Sequence, residues 1–316
     1  MARHRFLPPG RDGKPGKAAP RDPSAAGDGR GRDRACPLLR AGRRARQVTA
    51  RIVVLGSADA FSSGGRGNTA WLLEDGIAPC TVDFGPTALV ALKRLGRDPQ
   101  RIAAIHLTHL HGDHIGGIPM LLVDAVYRAH RTAPLDITGP PGTTERVQAL
   151  WRDFYADAAA SELEFELRIH ELRPGDTARI AGREAAAFAA QHHRGDRIAL
   201  MLSLSSPAGR LAFTGDTGPC DALHDLARGA DLLCAECTEF EASKAARRRH
   251  LAWSELRSLL PALGVRRVLL GHLGEEVRAN APTIEAEARG LGLDLRVCDD
   301  LAEIALFPGH PPTPPL

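Results

Sequence analysis

The sequence predicts an α/β protein in which two β-sheets pack together with helices outside. Three observations carry that reading. Short apolar runs separated by turn residues open the chain's body between Arg51 and Asp83, as hairpins do. More strand-like runs fill the middle, from Glu164 to Thr214. From Asp221 onward, helical and strand patterns alternate, which suits parallel pairing with outer helices.

Taken in order, Arg51 to Leu55 reads as the first strand, followed by a glycine- and serine-rich loop to Asn68. Thr69 to Leu73 and Ile77 to Asp83 read as strands around the turn Glu74-Asp75-Gly76. Ala88, Leu89, Ala91, Leu92 and Leu95 give Pro86 to Leu95 a one-sided helical face. Ile102 to Leu107 is an apolar run of the kind that forms a buried strand, and Ile118 to His130 reads as an apolar helix. Leu135 to Thr138 is a short strand, and Thr143 to Tyr155 a helix starting at a threonine cap. Short strands are expected at Glu164 to Leu172, Thr177 to Ile180 and Glu184 to Gln191. Pro207-Ala208-Gly209 separates two more, Ile198 to Ser203 and Leu211 to Thr214. Helices then follow at Asp221 to Arg228, Ala252 to Leu263 and Ala281 to Leu291. Strands Leu232 to Ala235, Arg267 to Leu270 and Asp294 to Val297 come after each in turn.

The chemistry concentrates just after the Ile102–Leu107 run. His109, His111, Asp113 and His114 fall within six positions. Alternate residues of an extended chain point to the same side, so His109 and His111 can face one point at the strand's end. Gly112 permits a sharp bend before Asp113 and His114. Imidazole nitrogen with carboxylate oxygen suits zinc or a similar divalent transition metal. Two pairs of ligands this close argue for two ions.

His-x-His-x-Asp-His after a buried strand resembles the signature of the metallo-β-lactamase superfamily, and its flanks, Thr108-His109-Leu110-His111-Gly112-Asp113-His114-Ile115-Gly116-Gly117-Ile118-Pro119, resemble the ribonuclease Z-like branch. The opening Val53-Val54-Leu55-Gly56-Ser57 and the later Thr81-Val82-Asp83-Phe84-Gly85-Pro86, Gly139-Pro140-Pro141-Gly142-Thr143 and Phe213-Thr214-Gly215-Asp216-Thr217-Gly218 are similar to loops of that branch. So are His250-Leu251-Ala252-Trp253-Ser254-Glu255-Leu256 and Val268-Leu269-Leu270-Gly271-His272, although the family usually has Thr where Gly271 stands. The similarity runs from about Val48 to Phe307. It implies an αββα sandwich of two mixed β-sheets with outer helices, and metal loops along one edge of the sheets.

The resemblance also implies a ligand set. His109, His111 and His192 hold one metal, Asp113, His114 and His272 the other, and Asp216 bridges them. His192, Asp216 and His272 each close a strand-like run and open a loop. His193 adjoins His192 and leaves a one-residue ambiguity, in which the following Arg194-Gly195 spacing favours His192. The expected cofactor is two divalent ions, Zn2+ first, with Mn2+ and Fe2+ as alternatives. Such a pair, about 3.5–4 Å apart, polarises a substrate oxygen and lowers the pKa of a bridging water towards neutrality. Asp113 then combines metal binding with orientation of that water. His250 is the expected proton donor to the leaving group, and Glu236 a candidate to orient a metal histidine or His250. Cys234-x-x-Cys237 reads as two buried thiols rather than a zinc pair, because Cys234 lies in an apolar strand. Gly64-Gly65-Arg66-Gly67 reads as a loop beside the site in which Arg66 could meet a phosphate.

Composition divides the 316 residues at about Gln47. Residues 1–47 carry 13 Lys and Arg against 4 Asp and no Glu; subtracting these from the chain's 41 basic and 38 acidic residues leaves 28 and 34 in the remainder, a net of −6. The tail is rich in Pro, Gly and Arg and is expected to be disordered. It reads as a start codon placed too far upstream (Val48 standing just before the first strand), as a harmless tail, or as an arm for nucleic acid or a membrane surface. Residues 48–308 then form one hydrolase domain, and 309–316 a Pro-rich C-terminal tail. No apolar stretch of about 18 residues spans a membrane, no signal peptide is apparent, and the six cysteines lack a disulfide framework's density. A cytoplasmic enzyme is the expectation, with a homodimer implied by the resemblance.

The leading functional reading is a dinuclear metal-dependent hydrolase, a ribonuclease Z-like phosphodiesterase in which a metal-bridging hydroxide attacks. Removal of the 3′ trailer from precursor tRNA meets two objections. The tRNA-processing members of the branch carry a long arm between the third metal histidine and the bridging acid, whereas 23 residues separate His192 from Asp216 here. The body is also net acidic, and RNA binding needs a basic surface. A cyclic nucleotide or another small phosphodiester needs neither. A carboxylic ester, thioester or lactone hydrolase is the alternative, since the same metal pair polarises a carbonyl. A metal-binding regulatory protein without turnover is the second alternative.

Overall fold

The structure is a computed structural model that describes residues 4–5, 50–160, 163–193, 195–244 and 249–306, all within one compact unit. Its strands in chain order are β1 (His4–Arg5), β2 (Arg51–Gly56), β3 (Ala70–Glu74), β4 (Cys80–Val82), β5 (Ala104–His106), β6 (Leu135–Gly139) and β7 (Leu167–Glu171). Then come β8 (Thr177–Ile180), β9 (Arg183–Ala189), β10 (Leu200–Ser206), β11 (Gly209–Phe213), β12 (Leu232–Cys237), β13 (Arg267–Leu273), β14 (Asp294–Val297) and β15 (Glu303–Ala305). They form two mixed sheets, in the orders β1-β7-β6-β5-β4-β3-β2-β15 and β14-β13-β12-β11-β10-β9-β8. The pairs from β4 to β7 and from β11 to β14 are parallel; the others are antiparallel.

Period-two side chains explain the layering. In β2, Ile52 and Val54 enter the core between the sheets, while Val53 and Leu55 face the outer layer. Trp71 and Leu73 of β3 join Leu202, Phe213, Cys234 and Leu269 of the other sheet in the central core. Helices Ala88–Arg94, Ile118–Asp124 and Thr143–Phe154 cover the first sheet. Helices Ala222–Ala227, Trp253–Leu263 and Ala281–Gly290 cover the second. The αββα sandwich is therefore present as expected.

Several local expectations change. Asp113 and His114 sit in a one-turn helix, Gly112–Ile115, rather than at a glycine bend. Thr143 is the first helical residue and not the cap; Gly142 precedes it in a left-handed conformation, and the Thr143 hydroxyl donates to Pro140 O at 2.6 Å. The apolar helix from Ile118 widens to a π turn over Ala125–Ala129. β4 is shorter than the Ile77–Asp83 run, and β15 escaped the periodicity because three residues are too few to show one. His4–Arg5 pair antiparallel with Arg168 and Ile169 at the edge of the first sheet. The rest of the basic tail, and the Pro-rich 309–316 segment, lie outside the described residues.

Candidate metal centre

The site lies where strands of both sheets end. Asp83 follows β4, the His109–His114 segment follows β5, His192 follows β9, Asp216 follows β11, and His272 closes β13. Backbone contacts fix these loops on one another. Phe84 N donates to His114 O at 2.7 Å and Gly117 N to Phe84 O at 3.0 Å, clamping the helical turn against the end of β4. The approach requires Gly85, since a Cβ there would lie 2.3 Å from Asp113 O. Leu200 N donates to Thr108 O at 2.8 Å and so ties the second sheet to the same loop.

His272 is placed by a β-bulge. Glu236 pairs with Gly271 and Cys237 with Leu273, so His272 is the extra residue, and its φ of 50° is left-handed. Asp83 is also left-handed, with φ 59°. Left-handed non-glycine residues cost of order 1–3 kcal/mol and persist where the surroundings over-determine them. Both sit here with side chains buried in the site. Gly271 has no room for a side chain because the indole of Trp71 fills that space: a Cβ at 271 would lie 2.5 Å from Trp71 Cζ2.

Two groups of donor atoms converge. In the first, His111 Nδ1 lies 3.0 Å from His109 Nε2 and 3.1 Å from His192 Nε2, and Asp216 Oδ2 lies 3.6 and 3.8 Å from those two Nε2 atoms. In the second, His114 Nε2 is 3.1 Å from Asp113 Oδ2 and 3.4 Å from Asp216 Oδ1. His272 Nε2 is 3.4 Å from Asp113 Oδ2 and 3.3 Å from Asp216 Oδ2. Asp216 belongs to both groups.

The outer nitrogens show what the inner ones carry. His109 Nδ1 meets Thr108 Oγ1 at 3.1 Å, and that hydroxyl donates to Asp83, so it accepts from the imidazole. His114 Nδ1 donates to Asp83 Oδ2 at 2.8 Å and His192 Nδ1 to the carbonyl of Arg249 at 3.1 Å. His272 Nδ1 meets Thr238 Oγ1 at 2.8 Å, and Thr238 donates onward to Glu236 Oε2 at 2.7 Å. Each of these four rings therefore donates through Nδ1 and turns Nε2 inward. An Nε2 lone pair facing a carboxylate oxygen at 3.1–3.8 Å is repelled unless a proton or a cation lies between them. His114 Nε2 and Asp216 Oδ1 are, moreover, buried without a hydrogen-bond partner. These donors fit divalent metal, whose ligands stand about 2.0–2.2 Å from the ion.

Electrostatics agree. Burial pushes His109, His111 and His192 below the ordinary imidazole range, keeping them neutral. Burial also opposes charge on His114 and His272, but Asp216 and Asp113 outweigh it and raise both, with Asp83 adding to the effect at His114 and Glu236 at His272. The same histidines hold Asp113 and Asp216 well below the usual carboxylate range despite burial. The second group thus stabilises positive charge at its centre.

His250 lies beside both groups, its ring stacked on His272 with centroids 5.4 Å apart and edge-on to His192 at 5.0 Å. Its Nδ1 is 3.0 Å from Glu236 Oε1, and Glu236 also accepts from Thr217 N at 2.8 Å. Burial lowers the His250 pKa, but the Glu236 carboxylate outweighs it and brings it to about 9. Glu236 therefore contacts His250 directly and reaches His272 through Thr238. The sequence reading missed Asp83, Thr108 and Thr238 as partners of the histidines. Asp83 stood in a quoted motif, but nothing in its spacing ties it to His114.

His192 and His193 separate clearly. His192 points into the first group, whereas His193 lines a neighbouring cavity with its ring 4.7 Å from that of His111. Burial and adjacent cations push His193 down to about 4. Arg66 does not approach the site as an unpaired phosphate ligand: its guanidinium pairs with Asp299, Nη2 to Oδ2 at 3.0 Å. Cys234 and Cys237 are buried free thiols, as expected.

Two sheets sandwiched between helices, with this histidine–aspartate cluster along one edge, define a metal-dependent hydrolase of the metallo-β-lactamase fold, in its ribonuclease Z-like branch. More narrowly, the chain belongs to the family described as "Anti-Pycsar protein Apyc1", whose profile matches residues 50–291. It is similar to the Ribonuclease Z of Methanothermobacter thermautotrophicus, 28% identical over 300 residues that cover 80% of this chain and 95% of that one. Among solved structures, the metallo-β-lactamase fold protein YhfI from Bacillus subtilis superposes with a TM-score of 0.67 at 19% identity, covering 81% of this chain and 98% of that one. Human tRNase Z, short form, superposes with a TM-score of 0.64 at 22% identity, covering 81% and 99%.

Proposed function

We propose that this protein is a two-metal phosphodiesterase acting on a small phosphodiester. The observation that carries the reading is the pair of donor groups sharing Asp216. His109, His111 and His192 would hold one ion and Asp113, His114 and His272 the other, with Asp216 reaching both. Imidazole and carboxylate donors suit Zn2+ best, and Mn2+ or Fe2+ next. When bound, the ions supply Lewis acidity towards a phosphoryl oxygen and acidify water.

The chain's own residues account for the remaining steps. Asp113, one-tenth exposed at its side chain, orients the attacking water from the open side of the cluster. His250 protonates the leaving oxygen. Glu236 holds its Nδ1 and favours the imidazolium, so Nε2 carries the transferable proton, and a quarter of the side chain is exposed towards an incoming substrate. Cations held by the cluster would oppose the effect of Glu236 and lower the His250 pKa from that value.

A small substrate is favoured over precursor tRNA because the 23 residues between His192 and Asp216 include the β10–β11 hairpin, which pairs into the second sheet. The curated relative's name, Ribonuclease Z, supports phosphodiester chemistry in general. The test is metal analysis together with turnover of bis-p-nitrophenyl phosphate, 3′,5′-cyclic nucleotides, p-nitrophenyl acetate and precursor tRNA. Cleavage of the first two without ester cleavage is the expected result. Ester cleavage alone would overturn the phosphodiesterase reading, and bound metal without turnover would leave a binding protein.

A further inference from the structure

A cavity of about 460 Å3 adjoins the metal centre and shares His111 with it. Leu110 and Ile198 give it apolar walls, while Arg146 and Arg197 bring two guanidinium groups to its rim. We propose that Arg146 and Arg197 form a subsite for a second anionic group of the substrate, so that the protein favours a phosphodiester carrying another phosphate one nucleotide away from the scissile one. This rests on the phosphodiesterase reading above.

Charge placement carries the argument. The body is net −6, so cations beside the cluster do not come from a generally basic surface. Among the described residues neither Arg146 nor Arg197 has an ion-pair partner, so both guanidinium groups are available to a ligand in the cavity they line. Arg249 adds a third cation on this side: its carbonyl holds His192, and its charge acts on His193 together with that of Arg197. Among the described residues Glu145 is the one carboxylate lining the cavity, so the guanidinium groups outnumber it. The 12-residue helix Thr143–Phe154 also begins at this cavity through Gly142, which adds the positive end of its dipole.

A scissile phosphate at the metals leaves the next group of the substrate facing His111 and the cavity behind it. The apolar walls accept a nucleoside's flat faces, and the guanidiniums accept the next phosphate by paired hydrogen bonds. A phosphodiester with a single phosphate fills the walls but leaves both arginines unused.

The experiment compares 5′-pApA with ApA on the metal-loaded protein, alongside Arg146→Ala, Arg197→Ala and the double variant. Wild type should show a kcat/KM ratio of pApA over ApA of about 10 or more, falling towards 1 in the double variant and shrinking as NaCl rises. Calorimetry supplies a readout independent of turnover: adenosine 5′-phosphate should bind more tightly than adenosine, and the double variant should lose about 10-fold or more of that difference. A ratio near 1 in wild type, or one that the double variant leaves intact, overturns the subsite. If neither dinucleotide nor bis-p-nitrophenyl phosphate is cleaved, the phosphodiesterase reading has failed, and calorimetry still decides the subsite. Adenosine 5′-phosphate held equally well by the double variant would then place its phosphate elsewhere and refute the proposal.

Discussion

Asp83 should control the protonation pattern of the second donor group, and two substitutions there separate stability from metal binding. Its carboxylate is buried and accepts from Thr108 N at 2.8 Å, from the Thr108 hydroxyl, and from His114 Nδ1 at 2.8 Å. Among the described residues, Thr108 N and His114 Nδ1 are served by Asp83 alone. Asp83→Ala strands two buried donors at about 1–3 kcal/mol each, hence about 2–6 kcal/mol for the metal-free protein. At about 2–4 °C per kcal/mol for a domain of this size, the melting temperature should fall by roughly 5–20 °C. Asp83→Asn should behave differently. The Thr108 amide can only donate, so the Asn oxygen turns to it and the Asn NH2 faces His114. The imidazole then accepts through Nδ1 and moves its proton to Nε2, the atom it needs for metal. Stability of the metal-free protein should fall less than in Asp83→Ala, because no donor is stranded and only the charge that raises His114 is lost, while metal affinity falls by about 10–100-fold, the usual weight of such a partner. Thermal melts of chelator-treated protein and metal titration read the two effects separately. Wild-type metal affinity in Asp83→Asn would refute the reasoning, because either His114 would not ligate or Asp83 would not set its tautomer.

Asp216→Ala should lower metal content and abolish turnover, measured by elemental analysis and phosphodiester assay; full activity would remove its bridging role. His250→Ala should keep its metal yet lose roughly 10²–10⁴-fold in rate, less for p-nitrophenolate than for an alkoxide leaving group; an equal loss across a leaving-group series would assign His250 to positioning. Gly271→Ala should drive a methyl into Trp71 and cost about 1–3 kcal/mol of stability, read by denaturant melts, with Trp71→Phe relieving the clash in the double variant; an undisturbed Gly271→Ala would show that Trp71 is free to shift.

How much of this was legible beforehand depended on where the information lay. The layers of the sandwich follow from local alternation, as in β2, where neighbouring residues divide between two cores. β15 was missed because three residues carry no period, and its pairing with Ile52 and Val53 is settled across 250 residues of chain. The His-x-His-x-Asp-His run could be read because four donors were consecutive enough for backbone geometry to converge them. Asp216 and His272 needed a family resemblance, since a lone Asp or His at a strand end is common.

The sequence by itself determined the donor chemistry and the cores, because both reside in residue types at short, regular spacing. Only the tertiary structure decided which nitrogen of each ring faces inward, that His192 and not His193 joins the cluster, and that Glu236 meets His250. Those outcomes depend on hydrogen bonds between segments far apart in the chain, such as Asp83 with His114 and Thr238 with His272. Parallel pairing of neighbouring strands, β4 with β5 and β12 with β13, brings those partners within 3 Å, and a spacing along one strand holds no record of which residue its neighbour will present.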